Sequence, residues 1–346
     1  MSFYISNSKR NKFLCILFIF FLLNLGANIA LELYVAHKTS NTQWLENKRS
    51  KSSHFIKNNL ENLDFVFIGS SRTIYHISTS NFAAGGMTVY NLGVSGMVLT
   101  DFPYFVSKAI EKNPRSIVIS ISVQDLFTTT MQDDFKEIAL TDLRDIYSTQ
   151  SVEVMFSATK SYIKSLHKLY LYSETIYSKL ENLLGRFKVS IDKTKHQRGE
   201  TKGVAQAAID EPLGCSVFSR KTVSEYKTVL KCTNGDGILI GHYIPEGYEG
   251  MEKILSVPNE HYIRLLNKLI DRIKAEDIEP IIILEPVLRS HYKYNLAQIK
   301  GLLTNATVYD LTSEYGEIAF WADTSHFNHS GQAFYSNKLL KKLSNK

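Results

Sequence analysis

Five short apolar runs, separated by segments with helical spacing, limit this chain's fold more than any other feature. Leu63–Ile68 closes at Gly69, Met87–Leu92 closes at Gly93, and Ser116–Ile121 follows Pro114. Pro280–Leu284 stops at Pro286, and Ala306–Leu311 is the last. Runs this short without polar alternation suit strands buried on both faces, as in a parallel sheet. Between them Phe102, Phe105, Val106 and Ile110 recur at helical spacing. So do Tyr262, Ile263, Leu266, Leu269, Ile270 and Ile273. Further helices are expected near Tyr294–Leu303 and from Ser330 to Leu343. Strands alternating with helices imply an α/β fold, a three-layer α/β/α sandwich on a parallel five-stranded sheet. Residues from about 128 to 258 break the rhythm and read as a mostly helical insertion. Leu140–Leu184 looks helical, residues 185–214 form a basic loop, and Gly237–Tyr243 suits a short strand.

The N-terminus is of another kind. Lys9, Arg10 and Lys12 precede an apolar run from Phe13 to about Leu33. About 20 such residues cross a bilayer's hydrocarbon core, and the run exceeds a cleaved signal's apolar core, although Gly26-Ala27 and Ala30 leave cleavage as the alternative. The flanking positive charge orients the N-terminus to the cytoplasm and exports the remainder. The expected order is a cytoplasmic stretch over 1–12 and a transmembrane anchor over 13–34. A stalk or helical lead-in over 35–60 then reaches the domain over 61–346. That places one span in the inner, cytoplasmic membrane with the domain outside the cytoplasm, and makes the lipid bilayer a partner.

Hydrophobic content of 44% and charged content of 21% exclude disorder of the whole chain. The formal charge of +6 fits work near an anionic surface, and an ordinary surface explains it equally. Nucleic acid is not an expected partner, because the basic residues form no clustered binding motif. Of three cysteines, Cys15 lies in the apolar run, while Cys215 and Cys232 fall in the exported part. An oxidising compartment permits a disulfide between those two. No Cys/His spacing suggests zinc, and no metal or cofactor is expected.

In parallel α/β sheets, sites form beyond the carboxyl ends of the strands. Three segments sit there. The first strand runs into Gly69-Ser70-Ser71-Arg72-Thr73, where a serine after a sharp glycine exit can raise its hydroxyl above the sheet. This is not the nucleophile elbow of α/β-hydrolases, since Thr73 replaces its second glycine. Read alone, the segment also fits an ordinary helix cap. The second strand ends in Asn91-Leu92-Gly93-Val94-Ser95-Gly96, whose glycine turns can expose backbone N–H groups to an oxyanion. The third segment, Asp323-Thr324-Ser325-His326-Phe327-Asn328, puts a carboxylate three residues before an imidazole. That spacing suits a general base with its orienting acid, half of a metal site, or simple capping. Arg72 either binds an acidic polymer or pairs locally. His76 either enters the site or packs. His329 is the lesser alternative to His326.

The three segments in this order resemble the SGNH (GDSL-like) hydrolase superfamily, over roughly residues 62–127 and 260–344. The resemblance implies a flavodoxin-like fold, with Ser71 as nucleophile, His326 as base and Asp323 as its acid. Gly96 would complete an oxyanion hole with the Ser71 backbone. One block departs: the family's Gly-x-Asn-Asp is here Ser122-Val123-Gln124-Asp125. Gln124 keeps an amide donor but is one methylene longer. Losing such a donor costs about 2.7–4 kcal/mol of transition-state stabilisation. The resemblance implies a serine esterase or O-acyltransferase acting on acyl, chiefly acetyl, esters of cell-surface polysaccharide. The alternative is an inactive glycan-binding or scaffold protein that partners a membrane-bound acyltransferase.

Overall fold

The computed structural model describes residues 12, 15–16, 18–19, 21–30, 48–57, 59–128, 140–149, 152–165, 217–224, 227–242, 244 and 248–344. Residues 21–30 are helical, and Phe21, Leu22, Leu23, Leu25 and Ile29 on them are exposed. Among the described residues no helix is long and apolar enough to cross a membrane. Positions 13, 14, 17, 20 and 31–34 of the expected anchor lie outside them. Within the stretch expected as a stalk or lead-in, α1 (Lys48–Lys57) docks on the domain, with Phe55 and Lys51 fully buried.

The first half of the sheet follows. It comprises β1 (Phe65–Gly69), α2 (Ser71–His76), α3 (Thr79–Ala84), β2 (Val89–Asn91), α4 (Phe102–Ile110) and β3 (Ser116–Ser122). The inserted region contributes α5 (Leu140–Thr149), α6 (Val152–Ser165), β4 (Val217–Ser224), β5 (Lys227–Cys232), β6 (Gly237–Ile240) and β7 (Met251–Ile254). The remainder is α7 (Glu260–Lys274), β8 (Glu279–Glu285), β9 (Ser290–Lys293), α8 (Leu296–Leu302), β10 (Thr307–Asp310), β11 (Trp321–Asp323), β12 (His326–Phe327) and α9 (His329–Ser344).

The five expected strands form one sheet in the order β10-β8-β3-β1-β2, with every neighbouring pair parallel. Successive side chains alternate between its faces. Val66, Ile68, Ile117, Ile119, Ile282 and Leu284 pack with α4 and α7 in one core. Phe65, Phe67, Val118, Ile281 and Ile283 pack with Trp321, Phe327 and α9 in the other. Two filled faces explain why the runs are apolar throughout rather than alternating. Helix α7 shows the local logic. The Asn259 side chain accepts from His261 N at 3.0 Å, Glu260 opens the helix, and Arg272 and Lys274 sit in its last turn. These charges match the helix dipole.

In chain order the five core strands take positions 2-1-3-4-5, the flavodoxin-type arrangement. The winding therefore reverses between β1 and β3, opening a crevice beyond their carboxyl ends. Ser71 begins there.

Of the stretch expected to be helical, 140–149 and 152–165 are helices and 166–184 lie outside the described residues; the regular elements in the described remainder of the inserted region are β-strands. Its β4, β5 and β6 make a three-stranded antiparallel sheet, and β7 pairs parallel with β9. The β5–β6 turn, Thr233-Asn234-Gly235-Asp236, carries the Asn-Gly signal of a hairpin, with Gly235 at φ +97°. The strand expected over Gly237–Tyr243 ends at Ile240. Residues 185–214 lie outside the described residues, as does Cys215; Cys232 is disulfide-bonded and Cys15 is free.

Candidate active site

Gly69 lets the chain turn sharply off β1. A Cβ there would lie 2.0 Å from Thr73 Oγ1 and 2.5 Å from Ser120 O, so no other residue fits without displacement. Ser70 caps α2, its hydroxyl accepting from Arg72 N at 3.3 Å. Ser71 becomes the first residue of a helix that starts at the crevice.

The Asp-x-x-His segment arrives from the opposite end of the chain. Its β11–β12 hairpin pairs Trp321 with Phe327 and Asp323 with His326. Trp321 and Phe327 are fully buried, with ring centroids 4.1 Å apart, so the hairpin is anchored by its aromatic ends. Asp323 Oδ1 accepts from Ser325 N at 2.9 Å and His326 N at 3.0 Å, which folds the turn around the carboxylate. His326 Nδ1 lies 2.9 Å from Asp323 Oδ1 and 3.1 Å from Oδ2. His326 Nε2 lies 2.9 Å from Ser71 Oγ. An ionised carboxylate only accepts, so Nδ1 carries the proton and Nε2 is left to take one from Ser71. Tyr75 stands edge-on to the imidazole, with centroids 5.4 Å apart at 83°.

Ser71, His326 and Asp323 are thus brought together across 255 residues of sequence. The alternatives at neighbouring histidines separate cleanly. His329 is exposed at the start of α9. His76 is fully buried among Trp321, Phe327 and Tyr335. Burial, followed by the nearby His326 and Arg72, pushes its pKa well below the ordinary value, so its ring is neutral. Neither ring nitrogen has a well-formed hydrogen bond among the described residues, although the Ser325 backbone weakly favours the protonated ring. His76 is a packing residue.

A cavity of about 220 Å³ opens at Ser71, bounded also by Arg72, Gly96, Leu99, Asp125 and Tyr262. Gly96 sits at φ +71°, and a Cβ on it would meet nothing within 4 Å, so its backbone faces open space. Gln124 is placed differently. The described residues lining the cavity do not include it, and its Oε1 accepts from the Tyr292 hydroxyl at 2.6 Å. A larger depression of about 1060 Å³ lies at the β2 edge, among His54, Lys57, Thr79, Ser80 and Asn234. It is larger but contains none of the triad.

Arg72 pairs locally. Its Nε donates to Glu285 Oε2 at 3.2 Å and its Nη2 to Asp125 Oδ2 at 3.4 Å. Burial opposes the guanidinium charge, but Glu285 and Asp125 more than offset this and push its pKa up. Glu285 is fully buried and also accepts from Thr73 Oγ1 at 3.1 Å and Ser120 Oγ at 2.7 Å. It cross-links β1's exit, β3 and β8 directly beneath Ser71. A buried carboxylate needs such partners.

The far end of α2 is held by amides. Asn91 Nδ2 donates to Thr73 O at 2.9 Å, while Gln332 Nε2 donates to Ile77 O at 2.9 Å and Gly237 O at 3.1 Å. Asn91 also reaches Asp236 Oδ1 at 3.3 Å, and burial raises that carboxyl to about 7. Sequence reading missed Glu285, Asp236 and Gln332. The one available signal was Glu285 itself, an acid closing an otherwise apolar strand.

Among the described residues no group of three acidic, His or Cys side chains is placed to hold a metal. No family model matches the chain, and no curated protein matches it either.

Proposed function

We propose that this protein is an SGNH-type serine esterase or O-acyltransferase. The observation that carries the reading is the unbroken chain from Ser71 Oγ through His326 to Asp323, with both links at 2.9 Å. His326 Nε2 takes the hydroxyl proton as Ser71 Oγ attacks an ester carbonyl carbon. The carbonyl π electrons move to oxygen, and the backbone N–H groups of Ser71 and Gly96 stabilise that charge. As the tetrahedral intermediate collapses, the C–O bond to the leaving alcohol breaks and imidazolium returns the proton to that alcohol. Water or an acceptor hydroxyl then repeats the sequence on the acyl-enzyme and regenerates Ser71. The proton lost with the leaving alcohol is replaced by one from the incoming water or hydroxyl, and no redox partner is needed.

The proposed setting is a membrane-tethered domain outside the cytoplasm, acting on acyl esters of cell-surface polysaccharide. The exposed apolar side chains at 21–30 support the tether, since apolar residues facing outward on a helix need a lipid or protein cover. A reporter fused after Lys346 should be active only in the exported compartment. Cytoplasmic activity would overturn this orientation.

A second reading is a non-catalytic scaffold or glycan-binding domain that partners a membrane acyltransferase. The engagement of Gln124 by Tyr292 rather than by the cavity favours it, since one usual oxyanion donor is then missing. A fluorophosphonate probe separates the two. The wild-type protein should label covalently and Ser71→Ala should not. Equal labelling of both removes Ser71 from the chemistry, and an unlabelled wild type turns the balance to the scaffold.

A further inference from the structure

The carboxylate of Asp125 borders the same cavity as Ser71, and the triad makes no use of it. Among the described residues its hydrogen bonds all fall on one oxygen: Oδ2 accepts from Arg72 Nη2 at 3.4 Å and Ser122 N at 3.3 Å. Among the described residues nothing donates to Oδ1. The side chain keeps 46% of its surface open, although surrounding atoms crowd it enough that burial raises its pKa against the pull of Arg72, Ser122 and Arg289. Arg72 is the complement. Glu285 and Asp125 hold its Nε and Nη2, and no described residue accepts from Nη1. Arg72 lines the cavity together with Asp125.

We propose that Arg72 and Asp125 form a subsite beside Ser71 for a neutral, hydroxylated group of the substrate, a sugar-like alcohol. The proposal rests on Ser71 being the nucleophile. A hydroxyl both donates and accepts, and an open carboxylate oxygen next to an unused guanidinium N–H offers one partner for each role. The charges select for neutrality. Arg72 is shared between two carboxylates, and the charge of Arg289 also acts on Asp125. Two cations and two anions leave little net field to attract an acidic or a cationic substituent. The pair is held in place by the buried Glu285, so little ordering is required when a ligand binds. Met97, Val98, Leu99 and Tyr262 also line the cavity and give it apolar surface beside these polar groups, the usual mix in a small-ligand pocket.

The test compares 4-nitrophenyl acetate, which has no hydroxyl, with monoacetylated methyl glucopyranoside. Asp125→Ala should lower kcat/KM for the sugar ester about tenfold more than for the nitrophenyl ester, with the difference entering through KM. Asp125→Asn should recover most of that difference, because its amide oxygen still accepts from a hydroxyl. Equal falls on both esters overturn the subsite, and an Asn variant as poor as Ala overturns the role of residue 125 as a hydroxyl acceptor. Binding is read separately from chemistry by calorimetry on Ser71→Ala with the same sugar ester. Adding Asp125→Ala should weaken Kd about tenfold. Undiminished binding, or no binding by Ser71→Ala itself, overturns the subsite. Fluorophosphonate labelling reports on Ser71 independently, so the two readings fail by different results.

Discussion

The two sides of Ser71 are built on opposite plans. On the base side the polar side-chain atoms of Asp323 and His326 are all engaged. Asp323 accepts from two backbone N–H groups and the imidazole, His326 reaches Ser71, and the buried rings of Trp321 and Phe327 anchor the hairpin. On the cavity side the backbone at Gly96 is open, Asp125 keeps a bare oxygen, and the expected amide of Gln124 is turned to Tyr292. The wired side holds one geometry, as proton transfer requires. The open side can receive a group the protein lacks. On the proposed reading, chemistry and recognition are divided about a single hydroxyl.

The sharpest way to break this division is at the wired side. Asp323→Asn should fold with an unchanged Tm, because an amide oxygen can still accept from Ser325 and His326 N–H. Its amide N–H, however, favours the wrong imidazole tautomer, and kcat should fall about 10⁴-fold. A fall of less than tenfold would mean that Asp323 is a turn residue and no part of a triad.

A smaller effect is expected from the open side. If Gln124 served as an oxyanion donor, Gln124→Ala would cost about 10²–10³ in kcat. With its oxygen held by Tyr292 and its side chain outside the cavity wall, the expected fall is under about tenfold. A loss in the full oxyanion-donor range would show that the amide swings into the cavity during turnover, and the contrast between the two sides would soften.

Legibility in the sequence followed locality. The sheet was readable because a strand buried on both faces must be apolar at every position, as in Phe65–Ile68 and Pro280–Leu284. The edge strand was less so: Met87–Leu92 was expected, and only Val89–Asn91 pairs. An edge has a neighbour on one side only, and the regular pairing there ends at Phe67–Asn91, before β1 itself ends at Gly69. The triad was legible because Asp323 and His326 lie on one turn and Ser71 follows a glycine exit. Asp236 and Gln332 were not, since each looks like any polar residue until distant carbonyls and amides surround it.

From its sequence alone, this chain was bound to alternate strands with helices and to carry a serine, an acid and a histidine at strand ends. Those features depend on short-range periodicity and on the conformational needs of particular residues. Tertiary structure decided which histidine meets Ser71, that Gln124 pairs with Tyr292, and that Arg72 is shared between Glu285 and Asp125. Such contacts join residues 53 to 255 positions apart. Their distances are set by how packed layers bring strand ends together, and no local pattern encodes that.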